Sequence, residues 1–316
     1  MGITVKNPGL FTTVQDEGRI GYQQYGVSPS GPMDARAFHL ANLLVGNPLT
    51  EGALEMTLSG PSLDFDEDEI IAITGCDMSP EINGEAVPMY QALRVRKGDS
   101  LTFGFAAEGA RGYLAFAGGL DIPLVMGSKA TLPGKKLGGY QGRKLEKGDV
   151  IGFVSPKTDI PHLSERVLPQ PVFPADEVVL RAIAGPQDDE FSREELRKFF
   201  WYSAKITDEY DRMGCRLKRE EPLHHLGDGN IISDGIALGS VQVPTNGQPI
   251  IMLADRQTVG GYTKIATVIT PDIGRLAQAR PGMQLRFVRV SLETAQDICI
   301  REQEELETIR KEWEVE

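Results

Sequence analysis

Residues 233–287 read SDGIALGSVQVPTNGQPIIMLADRQTVGGYTKIATVITPDIGRLAQARPGMQLRF, and no other stretch of the chain is so dense in specific turn chemistry. Residues 240–243 and 250–253 suit strands, and Asn246-Gly247 between them is a pair that tolerates the positive φ angles of a tight β-turn. Pro244 and Pro249 cannot donate to a ladder, so pairing is expected to fray at the turn or to lie on an edge. Next, Leu253 and Ala254 run straight into four polar side chains, Asp255, Arg256, Gln257 and Thr258. Gly260-Gly261 is then expected to reverse the chain before a second strand at 265–269. Polar groups closing a buried strand, beside glycines that let a ligand approach backbone N–H groups, are one way to build a small-molecule site. The same run reads equally well as a polar loop capping a sheet.

Working outward, residues 54–153 read as all β, with short strands at 70–74, 92–95, 101–105 and 113–116 between Gly-, Asn- and Asp-containing turns. One device recurs. Lys97-Gly98-Asp99, Lys147-Gly148-Asp149 and Pro281-Gly282-Met283 each launch a strand with Leu or Ile three residues past the glycine and Phe five past it, a hint of two related β-units. At 316 residues the chain exceeds what one core usually serves. Prolines 156, 161, 169, 171 and 174 crowd a segment of little periodicity, which places a boundary within 155–176. The expected organisation is a β domain over 1–160, a second over 175–290 and a helical tail over 291–316. Helices are expected at 33–44, 193–200 with Ser192 and Glu195 as a capping box, and after Thr270-Pro271-Asp272. The tail, with Leu292, Ala295, Cys299, Leu306, Ile309 and Trp313 at near-helical spacing, reads as a largely solvated helix free to meet a partner. The loop Gly26-Val27-Ser28-Pro29-Ser30-Gly31-Pro32 feeds the helix start at Asp34, where free N–H groups favour an anion; a well-capped helix start is the other reading.

Composition excludes several classes. The 45 acidic against 33 basic residues give a net charge of −12, which argues against nucleic acid as a partner. Cys76, Cys215 and Cys299 are far apart and odd in number, which fits a reducing compartment, and with no signal-like apolar segment at Met1-Gly2-Ile3-Thr4 the expected location is the cytoplasm, away from membranes. Only His224 and His225 are neighbours, and no metal site is expected. The run Gly127-Ser128-Lys129-Ala130-Thr131-Leu132-Pro133-Gly134-Lys135-Lys136 has the wrong glycine spacing for a phosphate loop and ends in Lys. Ser28 sits in G-x-S-x-S without an activating histidine, and no Ala-Met-Lys-Met is present to carry covalent biotin.

Asn7-Pro8-Gly9-Leu10, Thr13-Val14-Gln15-Asp16, Arg19, Gly21-Tyr22, Gly26-Val27, Ser30 to Asp34, Ala117-Gly118-Gly119, Asp211-Arg212-Met213-Gly214 and above all Leu253 to Thr258 with Gly260-Gly261-Tyr262 resemble the biotin-dependent carboxyltransferase or allophanate hydrolase subunit 2 family. The likeness runs from near residue 3 to about 297. It implies a mainly β chain of two tandem cyclophilin-like β-barrels with a few short helices. It implies a subunit of an ATP-dependent amide- or lactam-processing enzyme, with 5-oxoprolinase the best single match. The partners implied are a homologue of the 5-oxoprolinase B-type subunit, similar to allophanate hydrolase subunit 1, and an A-type subunit, with ATP bound by or with the partner and the active site shared. Two alternatives stay open within the family: a regulatory protein antagonising a histidine-kinase inhibitor, and a carboxyltransferase acting on urea or another small amide.

The residues suit such chemistry. Amides are poor electrophiles, so a site must hold them by paired donors and acceptors and stabilise charge on oxygen. Gln257 and Asp255 can read an amide, Arg212 or Arg256 can clamp a carboxylate or phosphate, and N–H groups near Gly260 and Gly261 can face an oxyanion. Tyr262 or Lys264 can supply a proton, with Thr258 beside them, while Ser28, Ser30 and Asp34 are expected on an opposite wall. Each of these residues also has a fold-holding reading, since Asp-Arg pairs often merely tie loops together. The chain departs from the family pattern at Tyr210, Cys215, Val259 and Thr263, which leaves the substrate open.

Overall fold

The computed structural model describes Gly2 to Glu314. Among those residues, 2–20, 30–173 and 304–314 gather into one compact unit, and 21–29 with 174–303 into a second. The junction at Phe173 and Pro174 lies inside the proline-rich segment. Membership is not continuous along the chain, as 1–160 and 175–290 would have it: the loop 21–29 goes with the second unit, and residues 304–314 of the expected tail go with the first. Strands dominate, with four α-helices among the described residues: α1 (Ala35–Leu44), α2 (Arg193–Trp201), α3 (Thr270–Ala277) and α4 (Leu292–Glu314). Three are short as expected, and α4, 23 residues long, is the helix expected in the tail.

Alternation along two strands explains the layering of the first unit. Ile71 and Ile73 of Glu69–Gly75, with Leu114 and Phe116 of Arg111–Phe116, face one buried cluster that also takes Ile3, Val5, Leu63, Phe65, Leu101 and Ile151 from other strands. Their neighbours Ile70, Ala72, Tyr113 and Ala115 face a second cluster, filled by Phe38, Leu40, Ala41 and Leu44 of α1. A strand buried on both faces needs apolar residues at every position, which is why these runs show no polar alternation. The unit is thus two sheets around one core, with α1 against the outer face of the second sheet. Leu306 and Trp313 of α4 join that α1 cluster, at 6% and 7% exposure. The tail helix is thus largely solvated as expected, but one apolar stripe near its end is packed, because its spacing matches an available sheet-and-helix face.

The second unit is one sheet of eight strands. Its order is Glu177–Ala184, Gln284–Arg289, Ala204–Tyr210, Gly214–Lys218, Ile250–Met252, Ser240–Val243, Val259–Val268 and Asn230–Gly235. Glu177–Ala184 pairs twice, in parallel with Gln284–Arg289 and antiparallel with Val259–Val268, so the ladder returns toward its start. Phe199 of α2 stacks on Phe287 with ring centroids 4.4 Å apart. Ser192 caps α2 by accepting from the Glu195 N–H, but the Glu195 carboxylate accepts from the His224 N–H, so the capping box is half made. At α3 the cap is Ile269, and Asp272, fully buried, instead grips the Arg181 side chain and N–H.

The recurrent glycine turn is real and appears in both units. Gly98, Gly148 and Gly282 have φ of 92°, 93° and 95°. In each, the glycine N–H and the next carbonyl bond one residue of a neighbouring strand, Phe65, Val5 and Ile206 respectively, at 2.8–2.9 Å. The strands launched are Ser100–Thr102, Val150–Gly152 and Gln284–Arg289.

Candidate functional site

Ser240–Val243 and Ile250–Met252 pair antiparallel, with Gln242 opposite Ile250. The link is a six-residue loop from Pro244 to Pro249, because neither proline can extend the ladder. Within it only Gly247 has positive φ, at 72°, and its N–H closes on the Pro244 carbonyl at 2.8 Å. Gly260-Gly261 does not reverse the chain. Both glycines lie within the ten-residue strand Val259–Val268, with Gly260 opposite Asp234. The constraint there is space: a Cβ on Gly260 would stand 2.8 Å from Gln242 Nε2 and 2.8 Å from Ile236 Cδ1.

Over this part of the sheet opens a cleft of about 670 Å³, wholly within the second unit. Its floor includes Gln242, Gln257, Tyr262, Met252 and Ile250, and its rim includes Asp208, Glu209, Asp211 and Arg216. Three of these rim groups are engaged within the protein. Glu209 pairs with Arg216 at 2.8 Å, and Asp211 accepts from the Met213 and Gly214 N–H groups at 2.7 and 3.1 Å. On the floor, Gln257 Nε2 donates to Gln242 Oε1 at 3.5 Å. Gln242 is 1% exposed, and its Nε2 has no hydrogen-bond partner among the described residues. Two carboxamides and a phenol, set among apolar side chains, can read a planar amide by hydrogen bonds without burying a net charge.

Of the other expected residues, several are engaged structurally. Arg212 and Asp255 form a two-pronged ion pair, Nε to Oδ2 and a terminal nitrogen to Oδ1, both at 3.0 Å and both largely buried. The pair ties the Arg212 loop to the end of the Leu253 segment, whose Asp255 N–H also bonds the Arg212 carbonyl at 2.8 Å. Arg256 donates to the carbonyls of Ile236 and Leu253, at 3.0 and 3.1 Å, and burial pushes its pKa down to about 10. Lys264, 2% exposed, donates to Asp234 at 3.1 Å, and that bond holds the Asp234 carboxyl below its usual range. The Thr258 carbonyl accepts from the Ile236 N–H. A Cβ on Gly261 would lie 3.3 Å from the Ile231 carbonyl oxygen. So Gln257 and Tyr262 line the cleft, while Arg212, Asp255, Arg256, Thr258 and Lys264 are absent from its lining.

Ser28, of the second unit, donates to the Arg256 carbonyl at 2.6 Å. In the first unit, Ser30 donates to the Thr131 carbonyl at 2.8 Å. Asp34 caps α1 through the Ala37 N–H, and Glu55 accepts from the Met33 N–H, so of the two readings of this helix start the well-capped one holds, with carboxylates of the chain itself at the N–H groups. The loop nearest to a phosphate loop is likewise filled from within: Asp16 accepts from Ser128 Oγ at 2.6 Å and from the Lys129 and Ala130 N–H groups, and Lys129 Nζ is paired with Glu51.

A family model for the carboxyltransferase domain, subdomain A and B, matches residues 25–289. The chain belongs to this family. The 5-oxoprolinase C-type subunit of Escherichia coli is 38% identical over 287 residues, covering 91% of this chain and 91% of that protein. Its counterpart of the same name in Haemophilus influenzae is 35% identical and covers 95% and 94%. Urea amidolyase of Lachancea kluyveri is 34% identical over 96% of this chain, which spans only 18% of that protein. The crystal structure of the Kluyveromyces lactis urea amidolyase superposes with a TM-score of 0.90 at 30% identity, over 98% of this chain and 20% of that one. The family resemblance carried by the sequence motifs is thus established.

Within this carboxyltransferase-family chain, Gln242 is the buried polar cleft residue that the motifs did not single out. Its signal was a polar residue inside the apolar run Val241-Gln242-Val243, which also fits ordinary strand alternation. Of the positions departing from the family pattern, only Tyr210 lines the cleft, and its hydroxyl donates to the Leu276 carbonyl at 2.7 Å. Cys215 is fully buried and burial pushes its thiol pKa up; Thr263 lies under His225 at 3.0 Å.

Proposed function

We propose that this chain is a subunit of an ATP-dependent enzyme that processes a small amide, with 5-oxoproline as the substrate and glutamate as the product. The observation that carries the reading is two-way coverage: the match to the C-type subunit of 5-oxoprolinase spans 91% of both chains, whereas the urea amidolyases contain this length as a minor part. The carboxamide-floored cleft supports it, because the ring amide of 5-oxoproline is planar and presents one carbonyl and one N–H, its charged carboxylate lying outside that amide edge. In this reading Gln257 and Tyr262 face the substrate, and the Arg212–Asp255 pair holds the segment that presents Gln257. ATP is assigned to the partner, a homologue of the B-type subunit, since the chain's nearest approach to a phosphate loop is occupied by Asp16. An A-type subunit completes ring opening, and the assembly works in the cytoplasm. Each unit is read as a cyclophilin-like barrel, a reading supported in the second unit by the double pairing of Glu177–Ala184.

A second reading, carboxyl transfer to urea or a related amide, draws on the 0.90 superposition with urea amidolyase and requires a biotin carrier on another chain. The regulatory alternative has no specific observation behind it. Co-purified A-, B- and C-type subunits should release phosphate from ATP only when 5-oxoproline is added. Absence of that stimulation, with carboxybiotin-dependent urea carboxylation in its place, would overturn the first reading in favour of the second.

A further inference from the structure

The cleft contains a polar group for which the protein supplies no partner. Gln242 is 1% exposed and its Nε2 is unbonded among the described residues, an arrangement that folded chains avoid unless a ligand or water completes it. Its Oε1 is taken by Gln257 Nε2 at 3.5 Å, near the outer limit for a hydrogen bond and therefore easily exchanged. Both amide nitrogens lie over Gly260, whose absent Cβ would stand 2.8 Å from the nitrogen of Gln242 and 3.7 Å from that of Gln257.

With Gln257 Nε2 bonded to Gln242 Oε1, the amide group of Gln242 is left as an unused donor in the floor and the oxygen of Gln257 as an unengaged acceptor beside it. That pair complements a ligand edge that carries a carbonyl oxygen and an N–H side by side, as a lactam, primary amide or urea does; an ester or lactone offers only the oxygen. We propose that Gln242 and Gln257 act jointly as the positioning pair for such an edge, Gln242 donating to the carbonyl oxygen and Gln257 accepting the N–H. Gln257 is exposed and is the half that re-aims its amide from Gln242 to the ligand's N–H, while the buried Gln242 is the fixed half. Glycine at 260 is required because any larger residue would displace the Gln242 amide. The inference rests on the amide reading of the cleft but requires no turnover.

The test is a titration of the full chain, isotopically labelled in its glutamine side-chain amides, with 2-pyrrolidinone and with γ-butyrolactone as a probe of the same shape lacking N–H. The Gln242 NH₂ resonances, identified by their loss in Gln242→Met or, if that variant does not fold, in Gln242→Glu, should shift with the lactam. The lactone should half-saturate at a concentration at least about tenfold higher, the consequence of one unmade hydrogen bond. Gln257→Met should remove that discrimination. Unmoved Gln242 resonances with both probes up to molar concentrations, or equal response to both, would overturn the proposal. A shift without amide-dependent turnover in the assembled enzyme would leave the pair standing and remove the reaction; turnover with unmoved resonances would do the reverse.

Discussion

Two arginines near the cleft show what a buried guanidinium demands. Arg212 is matched by Asp255 through two bonds of 3.0 Å, so Asp255→Ala strands a buried cation and should destabilise the chain by about 3–5 kcal/mol, read by urea denaturation. Arg256 is held by carbonyls alone, and Arg256→Met should cost less. Glu69 gives a prediction in pH. It is 1% exposed and burial raises its pKa to about 7 from an ordinary value of 4.5. Between those values the unfolded chain has released the proton and the folded chain keeps it, so Glu69 lowers stability as pH rises from about 4.5 to about 7, and no further above that. Glu69→Gln should be the more stable protein at pH 8 by on the order of 2 kcal/mol, a gap that closes by pH 4; equal pH profiles for the two proteins would contradict this. At this scale the sequence exposed Gln257 and Tyr262, because polar residues stand out at the end of an apolar strand. It could not separate Asp255 from Gln257, since pairing with a residue more than forty positions away is not written in local pattern.

At the scale of elements, local turn chemistry was readable and long-range packing was not. The three glycine turns were found from their spacing alone, and their φ angles of 92–95° give the reason for glycine. At Gly98, Gly148 and Gly282 an added Cβ meets nothing within 4 Å, so each Gly→Ala should cost only the backbone strain, about 1–2 kcal/mol. Gly118→Ala should cost clearly more, because its Cβ would fall 1.8 Å from the Ser155 carbonyl oxygen. Thermal melts of the four variants would show the ranking. Gly260-Gly261 misled for a related reason: a glycine pair signals either a turn or a close approach, and only the neighbouring strand carrying Gln242 reveals which. The start of α1 was ambiguous in the same way until Asp34 and Glu55 were seen filling it.

For the whole molecule, a mainly β chain of two units with a proline-rich junction was foreseeable from length and turn spacing. The exchange of segments 21–29 and 304–314 was not, because nothing local marks which core an apolar face will join. Trp313 illustrates it: the ring lies over the Arg166 guanidinium at 5.2 Å and is 7% exposed. Trp313→Ala should therefore destabilise the first unit by about 3 kcal/mol, measurable as a loss of hydrogen-exchange protection in α1, where a solvated tail would give no change. The central claim is that the cleft of the second unit holds the amide substrate and that this chain acts only within an assembly. The most direct measurement is 5-oxoproline-dependent phosphate release by the chain alone, by the assembly with its A- and B-type partners, and by that assembly carrying Gln257→Ala. The account predicts no activity alone, activity in the assembly and a loss of at least about tenfold in the variant; full activity of the isolated chain, or an unchanged rate in the variant assembly, would contradict it.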